Sequence, residues 1–422
     1  MHTTRCTGIV VALAALVASG CGAPSRTPAP APVPVPERAP VARRDGTRPD
    51  SAARARSAPA RILPASRLDT IPARTLHAPV KVCAAGDVTL GTNLDTAWLR
   101  VASARLRTRF HQSDEPGALL RPLRPLVADA QVVLVNVESA IGEGETPSKC
   151  GPRSTNCFAF RAPASSAAAL RSLGRTVVGN IANNHARDAG SAGRDSTIAA
   201  LARVGVVVTG ADTLATPVPT PAGDTIGVLG FYTSDSTPDA RDTAVVRRLV
   251  ERATARYPAV VVTMHLGAEG RDAQRTRDTS ERFLGIDRGN PVAFAEAAVR
   301  GGAALVVGHG PHVLRAMEWR DRGALIAYSL GNLLTYGPFR LHEPANRGAV
   351  LCATIDRTGR TSAAELRPTV QLAPGVVRRD ARARAATLVD SLGQLDFPAS
   401  GARVGRDGRL RAREVAGASP PR

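Results

Sequence analysis

Eight short apolar runs recur between residues 80 and 331: "VKVCAAG", "QVVLVNV", "TVVGNI", "GVVVTG", "TIGVLGFY", "AVVVTMH", "AALVVGH" and "LIAYSLG". Most are valine-rich and bounded by glycine or polar residues, the pattern of buried strands. Helical patterns separate several of them, including "ASSAAALRSLG", "AGRDSTIAALARVG", "DTAVVRRLVERATARY" and "NPVAFAEAAVRGG". Asn290-Pro291 supplies an N-cap and first-turn pair for the last of these. Strands alternating with helices predict an α/β domain whose sheets are covered by helices. Two late runs, "RGAVLCATID" and "AAELRPTVQL", read as antiparallel strands closing a second sheet. There is no internal repeat.

The ends of these runs carry the chemistry. Five of them terminate in residues able to bind a metal: Asp87 after "KVCAAG", Glu138 after "VVLVNV", Asn184 and His185 after "VVGNIAN", His265 in "VVVTMH", and His309 and His312 in "ALVVGHGPH". In α/β folds the ligand crevice lies beyond the carboxyl ends of the strands, so these distant residues are expected at one edge. Imidazole, carboxylate and amide donors together suit Zn, Mn or Fe rather than calcium. Two carboxylates can hold two cations, which activate a water for in-line attack. Each residue alone has a bland reading as a turn, cap or core side chain. Two histidines flanking Gly310-Pro311 have little structural reason to exist.

The charge balance is +19 over 422 residues, with 43% hydrophobic and 3% aromatic content. Many basic residues are arginines in the flanks, and no stretch interleaves aromatics with them as single-strand binders do. Nucleic-acid binding is therefore not expected. At the N-terminus, "MHTTR" followed by "GIVVALAALVAS" reads as a signal peptide over 1–20, too short for a comfortable permanent span. "ASGC" resembles a bacterial lipobox with Cys21 as the lipidated residue, although Ala18 stands where leucine is commoner. The alternative is an ordinary cleaved signal. Both imply export, to the periplasm or the outer surface. Residues 21–78 read as a Pro/Ala/Arg-rich disordered tether.

Export permits disulfides. "CGPRSTNC" makes Cys150–Cys157 a small-loop bridge. Cys83 and Cys352 are the remaining pair, with free buried thiols equally compatible. No CxxC pair suggests zinc.

The series "AAGDVTL", "NVESAI", "ANNHARDAG", "HLGAE", "GHGPHVL" and "YSLGN" resembles the CapA family. That family is associated with poly-γ-glutamate capsule formation and has the calcineurin-like metallophosphoesterase fold. The resemblance runs from about Val80 to Leu334. It implies a four-layer αββα sandwich with a dinuclear site between sheet ends. Residue by residue, it implies Asp87, Glu138, Asn184, His265, His309 and His312 as metal ligands and His185 as a general acid or oxyanion partner. The CapA-like domain is placed at 79–375, followed by a basic segment over 376–422 consisting of a helix and a disordered tail.

The sequence departs from the classical pattern in three ways. Thr89 replaces a histidine two residues after the first aspartate, His309 and His312 are three apart instead of two, and Leu266 replaces a common aromatic. Glu269 is read as a base or as the residue orienting His265, with a solvated carboxylate as the alternative. Asp188 could hydrogen-bond His185, but capping the next helix is the favoured reading. Tyr328 to Asn332 should shape the site floor, with Gly331 allowing close approach. Asn332 and Arg153 are candidate substrate contacts.

The expected function is capsule or poly-γ-glutamate synthesis or processing through a divalent-metal hydrolase-type site. Its expected partners are an anionic polymer, the membrane through a lipid anchor, and other capsule-export proteins. The alternatives are a non-catalytic polymer-binding scaffold with a degenerate site, and a periplasmic phosphoesterase unrelated to capsule.

Overall fold

Strands that alternate which face they bury must be covered on both sides, and the whole architecture follows from that requirement. The computed structural model describes residues 74–91, 95–144, 150, 157–234, 238–320 and 323–413. All of them lie in one compact unit, 67–422. Cys21, the tether before residue 74, Arg153 and the tail after 413 lie outside the described residues.

Two sheets form the centre. The larger has ten strands, and its middle is parallel: Val80–Leu90, Val132–Val137, Thr176–Asn180 and Val207–Thr209 lie side by side, with Asn332–Tyr336 also parallel to the first. The second has six strands, with Thr225–Tyr232, Val260–His265, Leu305–His309 and Ala324–Ala327 parallel in that order.

Side chains of alternate parity go to opposite faces, as the two-residue period of a strand requires. Val82, Ala84, Val132 and Leu134 face Val228, Val261, Leu305 and Val307 of the other sheet. Cys83, Ala85, Val133 and Val135 instead pack against Leu106, Leu119, Leu170 and Leu201, from helices on the outer face of the first sheet. Across the second sheet, Phe231, Val262 and Val306 meet Val246, Val250 and Phe294 of the helices Thr243–Thr254 and Pro291–Arg300. The order is therefore helix, sheet, sheet, helix, the four-layer αββα sandwich. Each fully buried Val or Leu contributes about 1.5–3 kcal/mol by leaving water.

Asn290 caps its helix as read from the sequence, accepting from the amides of Val292 and Ala293 at 3.0 and 3.1 Å. Two other expectations change. Arg347–Ile355 and Thr361–Leu372 are antiparallel strands, but they extend the first sheet rather than closing a second. Cys352 lies directly opposite Cys83 in that pairing, and the two form a disulfide. Cys150 and Cys157 are also bridged.

The boundary expected at 375 cuts through the sheet. Val376–Arg379 and Arg409–Arg411 both pair with Thr361–Leu372, and the helix Arg384–Asp396 buries Ala385, Ala386 and Val389. Arginine-rich composition concealed these alternating Val and Leu positions. Among the described residues, no helix is long and apolar enough to cross a membrane.

Candidate metal centre and its cavity

Each sheet presents a row of polar residues at matching positions of neighbouring strands. In the first sheet Asp87 pairs in register with Asn136, and Asn136 with Asn180. In the second, Tyr232 pairs with His265, and His265 with His309. These are the carboxyl ends of parallel strands, where the backbone leaves the sheet and a crevice opens.

The first row bends at Asp87, where the register to Asn136 and to Asn332 shifts. Glycine makes the bend possible. A Cβ on Gly86 would lie 2.1 Å from the carbonyl oxygen of Gly331, which sits at φ 64° in "YSLGN". A residue with a Cβ at position 86 could not make that approach.

The rows meet across the interface. Asp87 Oδ1 lies 3.3 Å from His309 Nδ1, and Asp87 Oδ2 lies 3.1 Å from His312 Nδ1. Glu138 Oε1 is 3.7 Å from His265 Nε2 and 3.6 Å from His312 Nε2. Asp87, Glu138 and His265 each offer a ligand atom within 4.8 Å of the others. Five of the six residues expected as ligands thus converge. Asn184 lines the same cavity as His312.

His312 takes the left-handed conformation, φ 58°, which is uncommon for a residue with a Cβ. Asn332 holds it there: Oδ1 accepts from His312 Nδ1 at 2.9 Å, and Nδ2 donates to the His312 carbonyl at 3.3 Å. Asn332, a candidate substrate contact, therefore braces a candidate ligand while also lining the cavity.

The electrostatics are those of a site short of positive charge. Burial and the Asp87 charge push Glu138 well above the usual carboxylate range. Asp87, although burial would raise it, is held well below that range by His309 and His312. Burial pushes His265 down. For His312 burial also acts downward, but Glu138, Asp87 and Glu269 outweigh it and hold the imidazole well above its ordinary value.

Four buried atoms of this cluster have no hydrogen-bond partner, Glu138 Oε1, His265 Nε2 and both ring nitrogens of His309, and Asn184 Oδ1 in the adjoining cavity lining has none either. Buried polar atoms are normally paired, and exceptions call for an explanation. A carboxylate, an amide oxygen and imidazoles left unpaired together fit a borderline transition-metal cation. Cys83 and Cys352 near Asp129 form no comparable site, because their sulfurs are joined in a disulfide.

Three supporting groups escaped the sequence reading. Asn136, buried inside a valine strand, donates to Asp87 Oδ1 at 2.8 Å and lies 3.2 Å from His265 Nδ1. Its oxygen accepts from Asn180 at 2.9 Å and Asn183 at 3.1 Å. Asn183 also serves the turn, accepting from the His185 amide at 3.0 Å. A polar residue at alternate positions of a wholly apolar strand was the available signal for Asn136 and Asn180. The third is Arg288, 3% exposed, whose Nη1 lies 2.7 Å from Glu269 Oε1. Nothing distinguishes it in sequence from many other arginines.

Glu269 therefore pairs with Arg288 and lies 3.8 Å from His312 Nε2, rather than orienting His265. Its loop is pinned by the buried Arg315, which donates to both Glu281 oxygens and to the Ala273 carbonyl. Thr89 Oγ1 reaches the Glu138 carbonyl at 3.4 Å, so it sits beside the cluster without an imidazole's reach.

His185 lies on the other wall, with Nδ1 2.6 Å from Asp188 Oδ2 and its ring 4.7 Å from that of Phe160. Asp188 also accepts from the Phe160 amide at 2.7 Å. The favoured capping role for Asp188 is overturned: Ala189 is the N-cap of Gly190–Arg203 and has no side-chain cap bond. A buried carboxylate three residues from a buried histidine fixes which ring nitrogen carries hydrogen.

All of this opens on a cavity of about 810 Å³ whose lining includes Asn184, His185, Glu269, Arg288, His312 and Asn332. Phe158, Phe339 and Leu341 form apolar wall, and Arg271 and Arg340 are exposed on its lining.

A four-layer αββα sandwich that gathers carboxylates, imidazoles and amides at facing strand ends defines a protein of the metallophosphoesterase type. Residues 81–336 match the family described as bacterial capsule synthesis protein PGA_cap, more than half of the 422-residue chain. The chain belongs to that family, the CapA family. It is 30% identical over 181 residues to the PGA biosynthesis protein CapA of Bacillus subtilis (strain 168), a match covering 39% of this chain and 44% of that protein. The match thus spans less than half of the curated relative. A solved structure, GAP50, the anchor in the inner membrane complex of Plasmodium, covers 68% of this chain and 88% of its own at 7% identity. With a TM-score of 0.27 that likeness carries no argument.

Proposed function

We propose that this protein is an exported, lipid-anchored CapA-type protein that works on an anionic cell-envelope polymer such as poly-γ-glutamate through a divalent-metal, hydrolase-type site. The observation that carries this reading is the buried cluster of Asp87, Glu138, His265, His309 and His312, with unpaired ligand atoms facing one another. Asp87, Glu138, Asn184 and the three histidines would hold the metal, as one ion or a pair. Bound there, a divalent cation supplies a Lewis acid and lowers the pKa of a water.

The chain's own residues supply the rest. His185, with Nδ1 fixed by Asp188, is placed to hand a proton to a leaving group. Arg271 and Arg340 give the cavity a positive rim that attracts a polyanion. Membrane attachment through Cys21 rests on the lipobox-like "ASGC".

The test begins with metal content per chain of the purified protein. Generic phosphodiesters and γ-glutamyl amides are then assayed with wild type and His185→Ala. Bound metal, and activity lost in the variant, are expected. No metal and unchanged activity would overturn the reading.

A second reading, a polymer-binding scaffold with a degenerate site, is favoured by Thr89 standing where an imidazole ligand is usual. Retained polymer binding by a His265→Ala, His312→Ala double variant, with cellular function intact, would favour it.

A further inference from the structure

Arg288 is the one buried cation facing the cavity, among the described residues, whose charge is only partly answered. It is 3% exposed, and its Nη1 pairs with Glu269 at 2.7 Å. Its Nε and Nη2 atoms are buried and have no partner. These two nitrogens form one edge of the guanidinium, the edge that receives a carboxylate or phosphate with two parallel hydrogen bonds. Leaving such charged donors unpaired in the interior is costly, so an absent acceptor is implied.

The surroundings fix that edge in place. The guanidinium carbon lies 5.8 Å from the centroid of the Tyr232 ring. The Arg288 backbone is held by Gly267, which donates to its carbonyl at 2.8 Å, and by its own amide donating to Glu281 at 2.8 Å. Nη2 borders the same small space over Gly310 as His265 Nε2: a Cβ on Gly310 would lie 3.4 Å from the former and 3.2 Å from the latter. The open edge of Arg288 therefore lies against the metal-ligand cluster, not at the cavity mouth.

We propose that Arg288 is the anion-receiving residue of this cavity, binding an acidic oxygen pair of the substrate through Nε and Nη2. Glu269 tempers it, occupying Nη1 and leaving the other edge for the ligand. The ligand is a carboxylate of the polymer or a phosphoryl group, which share this bidentate chemistry. The inference rests on the function proposed above and adds the residue that would select an anionic group beside the metal.

The experiment titrates the full chain, metal-loaded and metal-free, with inorganic phosphate and with γ-glutamylglutamate. Wild type, Arg288→Gln, Arg288→Lys and Glu269→Gln are compared, with metal content measured for each. Arg288→Gln is expected to weaken the binding of at least one probe about 10- to 100-fold, as for lost charge-assisted hydrogen bonds. Its metal content should match wild type. Arg288→Lys keeps the charge and the Glu269 pairing but lacks the fork, so binding should weaken in a chain that folds normally. Glu269→Gln should tighten binding by removing the competing carboxylate.

The stronger probe identifies the source of the anion, phosphoryl or polymer carboxylate. Equal binding by wild type and both Arg288 variants, or no binding of either probe to wild type, overturns the proposal. A metal-free wild type would instead count against the hydrolase-type site, and the metal measurement reads that separately.

Discussion

Asn136 donates a hydrogen bond to Asp87 from the register-matched position of the neighbouring strand, at 2.8 Å. Through its other atom it accepts from Asn180 and Asn183, so one buried amide joins three strand ends to the site. Replacing it with leucine would strand several buried polar groups. Asn136→Leu is expected to destabilise the domain by about 1–3 kcal/mol and to weaken metal binding about 10- to 100-fold, as loss of an orienting partner does. Thermal unfolding and a metal titration check this together. Unchanged metal affinity would mean Asn136 is only a core amide.

Glu138 gives a pH-dependent expectation. Its folded-state pKa is raised, first by burial and then by the Asp87 charge. The stability it contributes is therefore present below the unfolded value near 4.5 and is lost as pH rises through the folded value. Glu138→Gln removes that titration. In metal-free protein, the variant should match wild type near pH 4 and gain over it as pH rises, by about 1–4 °C in Tm at pH 8. His312, which Glu138 holds above its ordinary value from 3.6 Å, loses part of that support in the variant, so the difference between the two proteins reads the Glu138–His312 pair together. The same variant should lose metal affinity. A Tm difference that does not vary with pH would show that Glu138 is ionised without cost.

The sequence made the strands and the site legible to different degrees. Alternating valine runs disclosed both sheets because burial on two faces leaves a continuous apolar signature. The ligands were legible because a histidine or carboxylate ending such a run has few structural uses. Asn136 and Arg288 were harder. Asparagine in a strand reads as a local defect, and arginine in an arginine-rich chain reads as surface. The fate of Asp188 was hidden too, since a helix cap and a histidine partner use the same carboxylate at the same spacing. The late antiparallel strands extend the first sheet rather than closing a second, a difference hidden in sequence because strand patterns do not encode which strands are neighbours. What settles that question is the contact of Cys352 with Cys83, 269 residues away in sequence.

Gly310 lies directly against the imidazole of His265. Its φ is 104°, and its amide donates to Asp87 Oδ2 at 3.3 Å. A methyl group there would be strained in backbone and would lie 3.2 Å from His265 Nε2. Gly310→Ala should lower stability by about 1–3 kcal/mol and displace the His265 ring. Metal titration should then show weaker binding, while Gly285→Ala, at a positive-φ glycine with open space around it, should cost backbone strain without altering affinity. Equal metal binding in the two variants would contradict the assigned contact.

Asp188 separates positioning from ligation. It holds His185 Nδ1 at 2.6 Å and also accepts from the Phe160 amide, and both of these partners lie outside the five clustered ligands. Asp188→Asn keeps the size and one acceptor oxygen, so the Phe160 contact can persist while the histidine loses its carboxylate. Metal content should stay at the wild-type level. Turnover of whichever substrate wild type accepts should fall about 10²- to 10⁴-fold, the range for a disabled proton-transfer group. The pH profile of turnover is recorded for both proteins: an imidazole that loses an adjacent carboxylate gives up its proton more readily, so whichever limb it controls moves to lower pH. A drop in kcat accompanied by a moved limb would assign His185 its proton and Asp188 its positioning role. Full activity with an unmoved profile would leave the His185–Asp188 pair as a structural brace for the turn before Gly190.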